Sequence, residues 1–123
     1  MIVDDEPDLL AITGTMLENR GYKVHAFTDP IKALDHVKVD SCKECSIVVS
    51  DIRMPGMSGF ELVRYLKEAR PEMKVILITA FKINKEEVQK VLPSTPVDGF
   101  VTKPFRSADL IEAVKLACSV AHA

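Results

Sequence analysis

Two apolar runs, each ending in a polar side chain, constrain the fold of this chain more than any other feature. Ile47–Ser50 leads directly into Asp51, and Val75–Ile78 leads directly into Thr79. Short β-branched runs of this kind are typical of buried strands in a parallel sheet. The turn sequence Arg53–Gly56, with proline and glycine, follows closely and indicates that the first of these strands ends at the aspartate.

Strand-like and helix-like segments alternate along the whole chain. Such alternation with short connections favours right-handed crossovers and a parallel sheet covered by helices on both faces. We therefore predict an α/β fold of the (βα)5 type, which is a doubly wound, flavodoxin-like, parallel five-stranded sheet. Capping residues and first-turn prolines predict helix starts at Pro7, Pro30, Ser58, Asn84 and Ser107.

Length and charge limit the classes of protein that fit. The 123 residues are expected to form a single domain, residues 1–123. A net charge of −2 argues against direct nucleic-acid binding. The chain has no apolar run near the ~18 residues of a membrane span and no signal-peptide features at its start, so we expect a cytoplasmic protein.

The first strand is shorter than expected. Only three residues precede Asp4, where a buried strand is usually ~5 residues long. Two interpretations stay open: the first strand is trimmed, or the natural chain begins before Met1.

Cys42 and Cys45 form an isolated Cys-x-x-Cys motif. A metal site of this type needs a second pair of ligands, and none is visible at a suitable spacing. We interpret these residues as two loop cysteines before the third strand, with a regulatory thiol pair as the alternative.

Four predicted strand ends carry the chemical groups of a phosphoryl-transfer site. Asp4 and Asp5 follow the first strand, Asp51 the third, Thr79 the fourth and Lys103 the last. In open parallel sheets, ligands bind at the carboxyl ends of the strands. Three carboxylates gathered there repel one another, and a hard divalent cation such as Mg²⁺ removes that repulsion. The residues therefore predict metal-dependent phosphoryl transfer at this edge.

Taken together, these motifs resemble the receiver domain of two-component response regulators. No single motif is specific, but four of them in this order, each at a strand end, are highly specific. The resemblance covers essentially the whole chain. The motifs are Val3–Glu6, Asp51–Gly59, Thr79–Ala80 and Lys103–Phe105.

The resemblance implies a phosphoacceptor and a Mg²⁺ site. Asp51 matches the aspartate that accepts a phosphoryl group from a sensor histidine kinase or a phosphotransfer protein. Asp5 matches the acid that binds Mg²⁺ directly, and Asp4 the acid that acts mainly through a metal-bound water. The backbone carbonyl of Arg53, two residues past the acceptor, matches the remaining protein ligand.

Three further residues match the family's transfer and switch positions. Thr79 matches the hydroxyl that moves onto the phosphoryl group, and Lys103 the lysine that pairs with a phosphoryl oxygen. Phe100 matches the switch aromatic, although a core or edge aromatic is an open alternative. A phenylalanine cannot hydrogen-bond outward, so a switch at this position would act by packing alone.

The leading interpretation is a signalling phosphoacceptor that is not a metabolic enzyme. It implies a kinase partner and a downstream partner protein or output domain, with a homodimer left open. One alternative is a phosphorylation-independent pseudo-receiver that acts as an interaction module, and the intact set of motif residues speaks against it. A third candidate is a phosphatase with an aspartyl-phosphate intermediate. Such an enzyme needs a second acid two residues past the nucleophile, and this position is Arg53, so we discount it.

Overall fold

A computed structural model describes most of the chain. Within the described part, no helix combines the length and the apolar composition that crossing a membrane requires. The described residues are 1–39, 47–80, 86, 90, 97–103 and 105–120. Cys42, Cys45 and the helix start predicted at Asn84 lie outside these ranges.

Five parallel strands form one sheet, which confirms the predicted fold class. The strands are β1 (Ile2–Val3), β2 (Ala26–Phe27), β3 (Ile47–Asp51), β4 (Lys74–Thr79) and β5 (Gly99–Thr102). Their spatial order is β2-β1-β3-β4-β5, so the order reverses between β1 and β3. In doubly wound sheets this reversal opens the crevice in which ligands bind.

The helices cover both faces of the sheet. Those whose bounds fall within the described residues are α1 (Pro7–Glu18), α2 (Pro30–Val39), α3 (Gly59–Ala69) and α4 (Ser107–Val120). Helices α1 and α4 pack with Ile76 and Ile78 on one face, and α2 and α3 pack with Val75 and Leu77 on the other. Both faces of β4 are therefore buried, which explains why its sequence is apolar without a break.

Two predicted element ends differ from those observed. The sequence from Tyr22 to Phe27 has β-like content, yet β2 contains only two residues. It pairs with β1 alone, over the two residues of that strand, so no partner backbone is available for a longer ladder. The apolar stripe that begins at Pro7 predicts a helix to Arg20, whereas α1 ends at Glu18. The chain then turns at Gly21, whose φ of 88° is a conformation that glycine adopts readily.

Asp98 joins the amino-terminal ends of β4 and β5. Its backbone N–H donates to the Val75 carbonyl at 2.8 Å, and the Val75 N–H donates to Asp98 Oδ2 at 2.7 Å. Val75 is fully buried, so its N–H would be costly to leave without an acceptor. The carboxylate therefore completes the hydrogen bonding at the start of β4.

We predict that Asp98→Ala lowers the free energy of unfolding by about 1–3 kcal/mol, because it leaves a buried N–H without an acceptor. Urea denaturation followed by circular dichroism measures the change. Asp98→Asn is the matched control, since its amide oxygen can still accept from Val75. Equal losses in the two variants would show that the hydrogen bond is not the cause.

Candidate functional site

The parallel sheet brings the polar residues that follow β1, β3, β4 and β5 to one edge. Val3 pairs with Ser50, so Asp4 and Asp51 each follow paired residues on neighbouring strands. Thr79 is the last residue of β4, and its carbonyl accepts the backbone N–H of Lys103 at 2.7 Å. The four strand ends predicted from sequence therefore meet at the carboxyl edge.

The Lys103 ammonium group contacts two carboxylates at the centre of this edge. Its Nζ lies 3.2 Å from Asp51 Oδ2, as a hydrogen bond, and 3.7 Å from Asp4 Oδ2. Asp4 and Asp51 are buried, with relative exposures of 2% and 7%. Two buried anions thus share one cation, which partly offsets the cost of removing them from water.

A pocket of about 340 Å³ opens beside the lysine. Its lining includes five of the predicted site residues and brings Asp5 and Asp51 to the same cavity, as the predicted site requires. Asp4 is buried and is not part of the lining. The lining residues are Asp5, Glu6, Asp51, Ile52, Arg53, Thr79, Ala80 and Lys103.

Phe100 lies apart from the other predicted site residues. It belongs to β5, where it pairs with Leu77, and it is half-buried against the hydrophobic cluster beneath α2 and α3. It does not line the pocket. These surroundings are those of a core or edge aromatic, which was the open alternative to a switch residue. Lys103 follows Phe100 by three residues.

Glu6 is a site residue that sequence reasoning did not identify. Carboxylate oxygens of Asp4, Asp5 and Glu6 lie within 4.8 Å of one another. Glu6 is the N-cap of α1, but its side chain does not cap the helix, and its backbone N–H donates to Asp4 Oδ1 at 2.9 Å. Its position directly after the aspartate pair was the available signal. This group of oxygen donors at an open pocket fits a hard cation such as Mg²⁺.

Burial raises the pKa of Asp4 above its ordinary value. The hydrogen bond from the Glu6 N–H and the nearby Lys103 charge act in the opposite direction, while repulsion from Asp51 and Asp5 adds to the increase. The net direction indicates that the burial of the Asp4 carboxylate has a free-energy cost, which the Glu6 hydrogen bond and the Lys103 charge only partly offset.

The pKa of Lys103 is also raised, but for a different reason. Burial alone would lower its pKa, but the hydrogen bond to Asp51 and the charges of Asp4, Asp51 and Glu6 outweigh burial and raise it. The side chain therefore stays a cation at neutral pH, as a group that stabilises phosphoryl oxygens must.

Hydrogen bonds fix the end of the connection between β3 and α3. Ser58 accepts the Glu61 N–H at 3.2 Å and so caps α3, as its sequence position predicts. The Gly59 N–H donates to the Ile52 carbonyl at 2.7 Å, which ties the first turn of α3 to the end of β3. Arg53 is the first residue of the loop that this bond closes.

Comparisons with known proteins agree with this arrangement. The sequence model described as "Response regulator receiver domain" matches residues 1–115. The heme response regulator HssR of Staphylococcus epidermidis is 35% identical over 115 residues, which cover 94% of this chain and 49% of HssR. The chain thus spans about half the length of that relative.

Solved receiver domains share the fold over nearly the whole chain. A CheY-like receiver domain protein from Methanospirillum hungatei matches with a TM-score of 0.85 and 28% identity, over 98% of this chain and 93% of that one. The response regulator TrrA of Thermotoga maritima, solved in complex with Mg²⁺-BeF, matches with a TM-score of 0.76 and 28% identity, over 93% of each chain. The chain belongs to the receiver domains of two-component response regulators.

Proposed function

We propose that Asp51 is the phosphoacceptor of this receiver domain. The observation that carries the proposal is the contact of Lys103 Nζ with Asp51 Oδ2 at 3.2 Å, at the mouth of a pocket that carboxylates line. A carboxylate can attack phosphorus directly, while a fixed cation beside it stabilises the transferring oxygens. The alternative of a phosphorylation-independent module is not favoured, because every group that this chemistry needs is present.

Transfer from a phosphohistidine donor needs no additional base. The phosphorus–nitrogen bond breaks as a phosphorus–oxygen bond forms on the Asp51 carboxylate, and the imidazole of the donor keeps the electron pair. Lys103 and the Thr79 hydroxyl are the groups of this chain that we assign to the phosphoryl oxygens.

The residues present fit a Mg²⁺ ion. Asp5, Asp51 and the backbone carbonyl of Arg53 are the ligands that we assign, with Asp4 acting through a bound water and Glu6 close enough to take part. When bound, Mg²⁺ would neutralise charge on the carboxylates and on the transferring phosphoryl group. These oxygen ligands are the type that Mg²⁺ prefers, and the open pocket leaves room for its waters.

Phosphorylation would add about two negative charges beside Lys103 and Thr79. We assign the switch to Thr79, which ends β4, and to Phe100, which lies on the neighbouring strand β5. Movement of the hydroxyl toward the new phosphoryl oxygens would change the packing available to the aromatic ring. Such local electrostatic events commonly bias a surface that a partner reads.

The proposed partners follow from the family and from the net charge of −2. We assign a sensor histidine kinase or a phosphotransfer protein as the donor, and a partner protein or an output domain as the receiver of the signal. Residues 1–123 would act as one cytoplasmic receiver domain, a signalling phosphoacceptor whose only chemistry is its own phosphorylation and dephosphorylation. A homodimer is compatible with this role, whereas direct nucleic-acid binding and a membrane location are not part of it.

We predict that the wild-type chain gains one phosphoryl group from acetyl phosphate in the presence of Mg²⁺, whereas Asp51→Asn gains none, because a neutral amide replaces the nucleophilic carboxylate. Intact-mass spectrometry measures the gain, and peptide mapping identifies its position. Asp35→Asn is the matched control, since Asp35 is exposed on α2 and should be phosphorylated like the wild type. A wild-type chain that stays unmodified, or modification that survives Asp51→Asn, would contradict the proposal.

We predict that Asp4→Asn raises the free energy of unfolding in metal-free buffer at neutral pH. The substitution removes a buried negative charge from the carboxylate cluster, and the amide oxygen can still accept the Glu6 N–H. Urea denaturation measures the difference, with Asp35→Asn as the exposed control. If Asp4→Asn is less stable than the wild type, the contact with Lys103 outweighs the cost of burying this carboxylate.

A further inference from the structure

The first residue of α3 packs against the main chain of the proposed phosphoacceptor. A Cβ atom built on Gly59 would overlap the carbonyl oxygen of Asp51 and would lie 2.8 Å from Ile52 Cα and 3.0 Å from the Asp51 carbonyl carbon. Carbon atoms in contact normally stay ~3.5–4.0 Å apart. All three of these atoms belong to the main chain of Asp51 and Ile52, so no flexible side chain can move away to make room.

Ser50 holds the same carbonyl group from within β3. Its hydroxyl donates a hydrogen bond of 2.9 Å to the Asp51 carbonyl oxygen, and both residues are buried. The neighbouring carbonyl, that of Ile52, accepts the Gly59 N–H at 2.7 Å. Two successive carbonyl groups, at Asp51 and Ile52, are therefore fixed by Ser50 and Gly59.

These two fixed carbonyls lie between the groups on which the proposed chemistry depends. The Asp51 side chain projects from one end of this short segment, and the backbone carbonyl of Arg53, assigned as a metal ligand, follows at the other end. A shift of the main chain would move both groups together. Because misplacing a reacting group by ~1 Å can reduce a rate by about 100-fold, small displacements here matter.

We infer that Ser50 and Gly59 form a main-chain clamp that positions Asp51 and the Arg53 carbonyl for metal-dependent phosphoryl transfer. This inference rests on the proposed function. Neither residue touches the reacting atoms, so both are positioning residues. Glycine is required at position 59 because of the close approach of α3 to β3, rather than for its backbone angles, since its φ is not positive.

The test compares two glycine-to-alanine substitutions in the same protein. Gly59→Ala introduces a methyl group against the Asp51 main chain, whereas Gly14→Ala introduces one in α1 that would lie 3.6 Å from Val24 Cγ1, an ordinary contact. Each variant is phosphorylated with acetyl phosphate over a series of Mg²⁺ concentrations. Circular dichroism first establishes a temperature at which both variants are folded.

We predict that Gly59→Ala lowers the maximal phosphorylation rate roughly tenfold or more and raises the Mg²⁺ concentration that gives half of that rate. Gly14→Ala should match the wild type in both quantities. Ser50→Ala should lower the rate in the same direction by a smaller factor, because it removes one hydrogen bond without adding a clash. A purely structural role would lower the melting temperature and leave rate and Mg²⁺ dependence unchanged in folded protein.

The outcomes separate this inference from the proposed function. If the wild type is phosphorylated at Asp51 and folded Gly59→Ala equals Gly14→Ala, the clamp is wrong and the phosphoacceptor stands. If the wild type is not phosphorylated, both are wrong. If Gly59→Ala does not fold, Ser50→Ala decides alone: a wild-type rate and Mg²⁺ dependence would overturn the clamp, and a loss in either would support it.

Discussion

The electrostatic contact of Lys103 with Asp4 and Asp51 is the interaction around which the site is arranged. A parallel sheet with acids after β1 and β3 places two buried carboxylates side by side, and like charges at such a separation are unfavourable. The ammonium group from the end of β5 lies within 4 Å of both. Without a cation there, the strand order that creates the pocket would also weaken the sheet.

The register of the sheet determines which polar residues meet at its carboxyl edge. Pairing of β4 with β5 places Thr79 opposite Thr102, so that the next residue, Lys103, reaches across toward β3. The order reversal between β1 and β3 leaves the edge above these strands open, as in other doubly wound sheets. The proposed site residues therefore meet at one edge of the sheet, although they come from distant parts of the chain and no local segment contains them all.

The sequence predicts the parts of the molecule that follow from local pattern. Apolar runs reveal β3 and β4, and the polar residues that end them identify Asp51 and Thr79 as site candidates. The roles that we assign to Glu6, Ser50 and Gly59 depend instead on contacts with the main chain and on neighbouring groups in the folded protein. Hydrophobic periodicity does not predict such contacts. The two-residue length of β2 likewise depends on its partner strand rather than on its own residues.

The contact of Lys103 with Asp4 and Asp51 also bears on the binding of a divalent ion. Because Lys103 already supplies positive charge to Asp4 and Asp51, these two carboxylates have a counterion before any divalent ion binds. In the proposed function, a divalent ion would bind carboxylates that already have a counterion, and its binding would partly replace their contact with Lys103. Lys103 lies between β5 and α4, so a change in that contact would act on the connection that leads into the last helix.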